Sequence, residues 1–252
     1  MKKFLLFAVL AFALVSCMSA QKGGRSASVT RADRPVGKFK AVRVEGAVDV
    51  VYAQGKDCSV SVVAPQSYLS RVMTEVKDGV LVVRFKSGMM DLLRDMDDQA
   101  IRVRVTSPDL VAVSVVGSGD FECERPLDTD RLSLLVRGSG DIDFRSVICD
   151  DLTLRVDGSG DIEVDKADAL RADVSVRGSG DVKLRLKNTR KTSVELAGSG
   201  DVEVDFEQCG VADCLLTGSG DITLSGTLEQ LNQNVRGSGD LHTALLRLHP
   251  VK

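Results

Sequence analysis

The chain has 252 residues, 27% of them charged and 43% hydrophobic, with a formal net charge of −3. That apolar fraction suits a sizeable core and excludes wholesale disorder, while the slightly acidic balance and the absence of Trp exclude broad nucleic-acid binding. Its 2 histidines, His242 and His249, fall in the last eleven residues, which removes a His-centred catalytic or zinc site from the body of the chain.

Met1-Lys2-Lys3 is a basic start, and Phe4 to Val15 is an apolar run of twelve residues. As a helix it would span about 18 Å, short of a hydrocarbon core of roughly 30 Å, so residues 1–16 read as a signal peptide rather than a membrane span. Leu14-Val15-Ser16-Cys17 resembles a bacterial lipobox, in which cleavage leaves Cys17 to carry a diacylglycerol and an acylated amine. Ordinary secretion with cleavage after Ala20 fits less well, because Met18 stands where a small residue is wanted. Several acyl chains on one residue make a durable anchor. Residues 17–36, with the run SAQKGGRSAS, then read as a lipidated N-terminus and flexible tether. The expected address is the outer membrane. Its periplasmic face is favoured over the cell surface, because Met18-Ser19-Ala20-Gln21 lacks the acidic cluster that resembles a surface-export tag.

Residues 37–107 are β-rich. Ala41–Val44, Val48–Tyr52 and Val80–Phe85 alternate or run apolar as strands do, Asp78-Gly79 is a hairpin signal, and Pro65 to Val72 suits a short helix. Ser87 to Gln99 (SGMMDLLRDMDDQ) breaks the pattern and reads as a mobile insertion or a short amphipathic helix. A soft boundary falls near residue 107.

Residues 108–252 carry a repeat. Gly-Ser-Gly-Asp starts at Gly117, Gly138, Gly158, Gly178, Gly198, Gly218 and Gly237, in steps of 21, 20, 20, 20, 20 and 19. Two places before the first Gly stand Val115, Val136, Val156, Val176, Leu196, Leu216 and Val235; four places after it stand Phe121, Ile142, Ile162, Val182, Val202, Ile222 and Leu241. Polar residues fill most of the places between, so each repeat is strand, tight turn, strand and return. In a parallel β-helix equivalent residues stack about 4.8 Å apart, whereas hairpin repeats would set them roughly 10 Å apart, near one Debye length. Arg137, Asp157 and Arg177 alternate in sign on consecutive repeats, as do Glu163, Lys183 and Glu203, which favours direct stacking. The predicted fold is an all-β, single-chain parallel β-helix, right-handed, with about 20 residues per coil, and with residues 37–107 capping or beginning it.

Of the 6 cysteines, Cys123 and Cys214 occupy inward columns and Cys58 alternates with Val60 and Val62, so buried free thiols are expected. Cys149 and Cys209 share a column but lie three coils apart, about 14 Å, too far to bond. Cys209 and Cys214 are the one pair to check.

The opening Phe39…Val44-Glu45-Gly46…Val48-Asp49-Val50, the run Val76-Lys77-Asp78-Gly79-Val80-Leu81, Val105-Thr106-Ser107-Pro108-Asp109-Leu110 and the Gly-Ser-Gly-Asp series together resemble the bacterial auto-transporter adhesin, head GIN domain, family over roughly Val36 to Thr243. The resemblance implies a β-helical fold, frequent occurrence in exported lipoproteins of Bacteroidetes, and no established activity. The chain departs from an auto-transporter: twelve residues follow Asp240, and no membrane barrel is encoded.

The recurring Asp120, Asp141, Asp161, Asp181, Asp201, Asp221 and Asp240 would form a ladder of like charges, each neighbour pair repelling by about 0.9 kcal/mol in water before screening. The plain expectation is that each carboxylate accepts N–H bonds within its own turn, with the glycines supplying unusual backbone angles. A ladder of Ca²⁺ ions, or a polar stripe touching sugars or a partner, are alternatives. Seven identical copies argue against a catalytic site, which is a local departure from symmetry. The expected function is a non-catalytic, adhesin-like or structural module at the cell envelope, needing no cofactor and contacting the membrane through lipid and a glycan or protein through its surface. The alternative is a polysaccharide-degrading lipoprotein, since carboxylates about 5 Å apart suit a retaining glycosidase.

Overall fold

The structure, a computed structural model, describes residues 29–86 and 101–249. The signal peptide, Cys17, the tether as far as residue 28 and the Ser87–Gln99 segment lie outside the described residues. Two parallel ladders carry the fold. In the first, β2 (Ala41–Gly46) pairs with β8 (Ala112–Gly117), and then follow β11 (Arg131–Gly138), β13 (Val147–Val156), β14 (Ile162–Val176), β16 (Lys191–Leu196), β17 (Val202–Leu216) and β18 (Ile222–Val235). In the second, β3 (Asp49–Gln54) pairs with β9 (Phe121–Cys123), followed by β12 (Ile142–Phe144), β14, β15 (Val182–Lys187), β17, β18 and β19 (Leu241–Leu248). On the returning side, β10 (Leu127–Asp128) pairs with the start of β13.

The register is the one the columns predict. Val115 opposes Val136, Val136 opposes Val156, and Leu216 opposes Val235; Phe121 opposes Ile142, and Ile222 opposes Leu241. Successive copies are direct neighbours, so the chain is a parallel β-solenoid and not a meander. Charge columns follow the stacking in part. Arg137 reaches Asp157 at 3.6 Å and Lys183 reaches Glu163 at 3.4 Å, while Arg177 turns instead to Glu195 at 3.7 Å.

Parallel stacking continues upstream of residue 107. β6 (Val80–Phe85) lies on the outer edge of β2, and β7 (Arg102–Ser107) on the outer edge of β3, which adds one coil beyond them. Antiparallel strands close that end. β4 (Ser59–Pro65) pairs with β7, and β5 (Val72–Lys77) forms a hairpin with β6. Asp78 and Gly79 both have positive φ, 51° and 77°, as a two-residue primed turn requires. Between β4 and β5 lies the four-residue helix α1 (Gln66–Leu69). Within the stretch expected as a tether, residues 29–34 form a strand instead: β1 (Val29–Arg34) pairs antiparallel with β4. Its sequence has no apolar stripe, but the free edge of β4 offers backbone partners, and the Arg34 guanidinium donates to Leu69 O.

Inward columns fill the lumen. Tyr52, Phe121 and Phe144 stack on consecutive coils with ring centroids 6.0 and 5.7 Å apart. Val, Leu and Ile complete the column to Leu224 and Leu228 with almost no exposure. Cys58, Cys123, Cys149, Cys209 and Cys214 are free thiols. Burial pushes the thiols of Cys123, Cys149 and Cys214 up to about 12, so they serve as small apolar side chains.

Candidate functional site

The Gly-Ser-Gly-Asp turns form one corner of the solenoid. Coil contact there leaves no space for a side chain. A Cβ on Gly140 would overlap the carbonyl oxygen of Gly119, one on Gly160 that of Gly140, and one on Gly180 that of Gly160. Of the repeat glycines, Gly117, Gly138 and Gly178 have positive φ; for the rest, close approach of the preceding coil, rather than backbone angle, is what demands Gly. From Gly117 to Gly218, each first glycine's carbonyl in turn accepts an N–H bond from the next coil, as Gly117 O does from Ser139 at 2.8 Å and Gly140 at 3.1 Å.

The aspartates stack as a ladder whose bonds run between coils, not within one turn. Oδ1 of Asp120 accepts the N–H of Asp141 at 3.0 Å, and the pattern repeats from Asp141 to Asp161 (2.8 Å), Asp161 to Asp181 (2.7 Å), Asp181 to Asp201 (2.7 Å), Asp201 to Asp221 (2.9 Å) and Asp221 to Asp240 (2.8 Å). A hydrogen bond to a charged acceptor is worth about 1.5 kcal/mol or more, which exceeds the roughly 0.9 kcal/mol of unscreened repulsion per neighbour pair. The ladder is therefore stable by its own hydrogen bonds.

Asp49 is an eighth rung. Gly46 opposes Gly117, and Asp49 Oδ1 accepts the Asp120 N–H at 3.2 Å. Gly46-Ala47-Val48-Asp49 is thus a degenerate copy of the turn. The signal was present in the sequence: Val44 and Val50 fit the columns around Gly46 as Val115 and Phe121 do around Gly117.

Beside the ladder lies an acidic groove of about 530 Å³, lined by Glu122, Cys123, Glu124, Asp143, Phe144, Arg145, Glu163 and Asp165. Glu122, Asp143 and Glu163 are register neighbours on β9, β12 and β14, so three like charges stack. Desolvation, then the carboxylates of Asp141, Glu163, Asp120 and Glu122, push Asp143 up to about 6. Farther along, the same column alternates in sign or is neutral: Lys183, Glu203, Thr223 and His242.

The Val105–Leu110 run has a structural use. Ser107 bonds the Tyr52 hydroxyl at 3.0 Å, and Asp109 takes Lys40 Nζ at 2.9 Å and Thr129 Oγ1 at 2.8 Å. Desolvation alone would raise the Asp109 carboxyl, but those two donors hold it below its ordinary value. Gln54 joins the same knot, donating to Pro108 O and Asp128 O while accepting the Asp128 N–H.

Three solved structures resemble the chain over 86% of its length. A putative adhesin from Bacteroides fragilis superposes with a TM-score of 0.73 at 22% identity, with 97% of that chain covered. A putative lipid binding protein from Parabacteroides distasonis gives 0.69 at 21% identity, also with 97% covered. A putative adhesin from Parabacteroides merdae gives 0.66 at 19% identity, with 96% covered. At these identities the likeness carries the fold. Comparison with curated proteins gives no match. A family model matches residues 38–209, from just before β2 to within β17, and the chain belongs to that family, described as "Putative auto-transporter adhesin, head GIN domain".

Proposed function

We propose that the chain is a non-catalytic, adhesin-like binding module held at the cell envelope. Lipid on Cys17 is the anchor, the periplasmic face of the outer membrane the site, and a glycan or an envelope or host protein the partner. One observation carries this reading. The lumen is filled by packed side chains, among them Phe121, Phe144 and Phe206, so a ligand must meet the outer faces. Those faces repeat polar and ion-paired side chains coil after coil, as in Arg171–Asp151, Arg185–Asp205 and Lys187–Glu207. A rigid surface with a period near 4.8 Å suits an extended partner. The filled lumen is also why lipid binding is not carried over from the Parabacteroides distasonis protein. No cofactor enters this reading. An unchanged melting temperature with chelator and with added Ca²⁺ would remove calcium from the ladder.

The purified chain should retain at least one envelope or host glycan on a panel, or one protein on crosslinking; retention of neither removes the basis for adhesion. Labelling with radioactive fatty acid should be lost in Cys17→Ser, and protease applied to intact cells should spare a periplasmic protein. The polysaccharide-degrading alternative has one observation in its favour: Asp143, poised near 6 beside Glu122 and Glu163, is in the range of a glycosidase general acid. Release of reducing ends from a glycan, abolished by Asp143→Asn, would establish it in place of adhesion.

A further inference from the structure

The ladder's chemistry changes at its last rung. Asp221 still gives Oδ1 to the Asp240 N–H at 2.8 Å, leaving Oδ2 free of that bond. Asp240 has no Gly-Ser-Gly-Asp coil after it, and among the described residues no donor reaches its carboxylate. In the same coil, the place that holds Glu, Asp, Lys or Thr in earlier repeats is taken by His242, the register partner of Thr223. Its Nε2 lies 3.5 Å from Asp221 Oδ2. One ligand atom from each of Asp221, Asp240 and His242 comes within 4.8 Å of the other two.

We propose that Asp221, Asp240 and His242 form a binding site for a divalent transition metal of the zinc type at the C-terminal end of the solenoid. Zinc holds imidazole nitrogen and carboxylate oxygen at about 2.0–2.2 Å, which sets the corners of its tetrahedron about 3.3 Å apart. The His242–Asp221 separation of 3.5 Å is close to that spacing, so a small shift of exposed side chains completes it. A simple ion pair accounts for His242 and Asp221 but gives the Asp240 carboxylate, a second negative charge within reach, no partner. A dication neutralises both carboxylates and takes the imidazole nitrogen. One nitrogen with two oxygens suits zinc, nickel or copper, whereas calcium takes six to eight oxygens. Three protein ligands leave a fourth position for water or for a group on another molecule. Earlier rungs offer no such set: each Oδ1 is occupied by the next coil, and none has an imidazole in the adjoining column. The site is independent of whether the chain is an adhesin.

Isothermal titration of the chelator-stripped full chain with Zn²⁺ tests it. One ion per chain should bind, and tenfold excess Ca²⁺ should not displace it. His242→Ala and Asp240→Asn should each weaken binding at least tenfold, since a metal ligand is worth no less than an outer-shell partner. His249→Ala and Asp161→Asn should leave it unchanged. All four positions are exposed, so melting temperatures should stay near that of the parent chain and isolate the binding effect. Zn²⁺ should also shift the His242 ring resonances before those of His249. Absence of binding, or binding that survives both His242→Ala and Asp240→Asn, or equal loss in His249→Ala, would overturn the site.

Discussion

A coil in the middle of the solenoid and the coil at its C-terminal end share the Gly-Ser-Gly-Asp turn and have very different surroundings. Around Asp161, both ladder edges are paired, the inward residues Ile162, Val164 and Val176 are buried, and the carboxylate caps the coil that follows. At the end, Val235, Leu245 and Leu248 are 45%, 75% and 52% exposed, and β18 places Gln233 in an inward column that holds Cys214 one coil earlier. The N-terminal end is handled differently, by β4, β5 and β1 laid antiparallel on the last parallel coil. The repeat thus buries its inward residues fully only when another coil lies on each side of it; the coil's stability is a property of neighbours.

That difference predicts position-dependent effects of chemically similar changes. Phe144→Ala, at the end of the aromatic stack and buried in the lumen, should cost about 3–5 kcal/mol in denaturant unfolding, whereas Leu245→Ala at the open end should cost under about 0.5 kcal/mol. Equal costs would mean that the end coil is as well packed as the middle. Next is the corner. Gly160→Ala places a Cβ against the Gly140 carbonyl with a further coil behind it, and should cost about 3 kcal/mol. Gly239→Ala meets the Gly220 carbonyl, but its coil can move outward, so less than half that cost is expected.

The ladder gives a smaller contrast. Asp161→Asn keeps an acceptor for the Asp181 N–H and removes repulsion, so it should be neutral or stabilising, and Asp161→Ala should be about 1 kcal/mol less stable than Asp161→Asn. At Asp240, which serves no following coil, Asn and Ala should be indistinguishable in melting temperature. A difference at Asp240 as large as that at Asp161 would show that the carboxylate acts by something other than the inter-coil bond.

Much of this was readable from spacing. Seven tetrapeptides with apolar residues at fixed offsets set the register, because a period-two pattern admits one inward face and a constant period admits one stacking. What stayed hidden depended on partners distant in the chain. Asp49 bonds a residue 71 places on, across β4 to β7, and Ala47-Val48 disguises its turn. The reach of each carboxylate to the next coil, and the carbonyl that excludes a Cβ at the second Gly, are relations between coils that no single repeat contains. β1 was missed because its exposed, charged residues are held by an available edge rather than by burial. The groove depends on Glu122, Asp143 and Glu163 standing on adjacent strands with no cation among them, a run of like charge that the alternating Glu163, Lys183 and Glu203 of the same column conceal.

The smallest expected effect separates the early coils from the later ones by pH. Asp143 titrates near 6 in the folded chain, above its ordinary value of 3.8, so folding favours its protonated form. Its stabilising contribution is intact below pH about 4 and is lost as pH rises through about 6. Asp143→Asn imitates the neutral form, so it should match the parent at pH 4 and exceed it at pH 7. The gain should be about 1 kcal/mol, less than a full conversion of the shift, because the side chain is exposed and solvent screens it. Glu207 works in the opposite sense. Its hydrogen bond to Lys187, at 2.6 Å, holds it below the usual carboxylate range, so that pair's contribution is present at neutral pH and lost as acid protonates Glu207. Unfolding curves of Asp143→Asn and Glu207→Gln from pH 3.5 to 8 should therefore both approach the parent at the acid end and part from it toward neutral pH, Asp143→Asn to higher stability and Glu207→Gln to lower. A pH-independent gap in Asp143→Asn would mean that the stacked carboxylates of the groove do not share one field, and would remove the reason to look there for a proton donor.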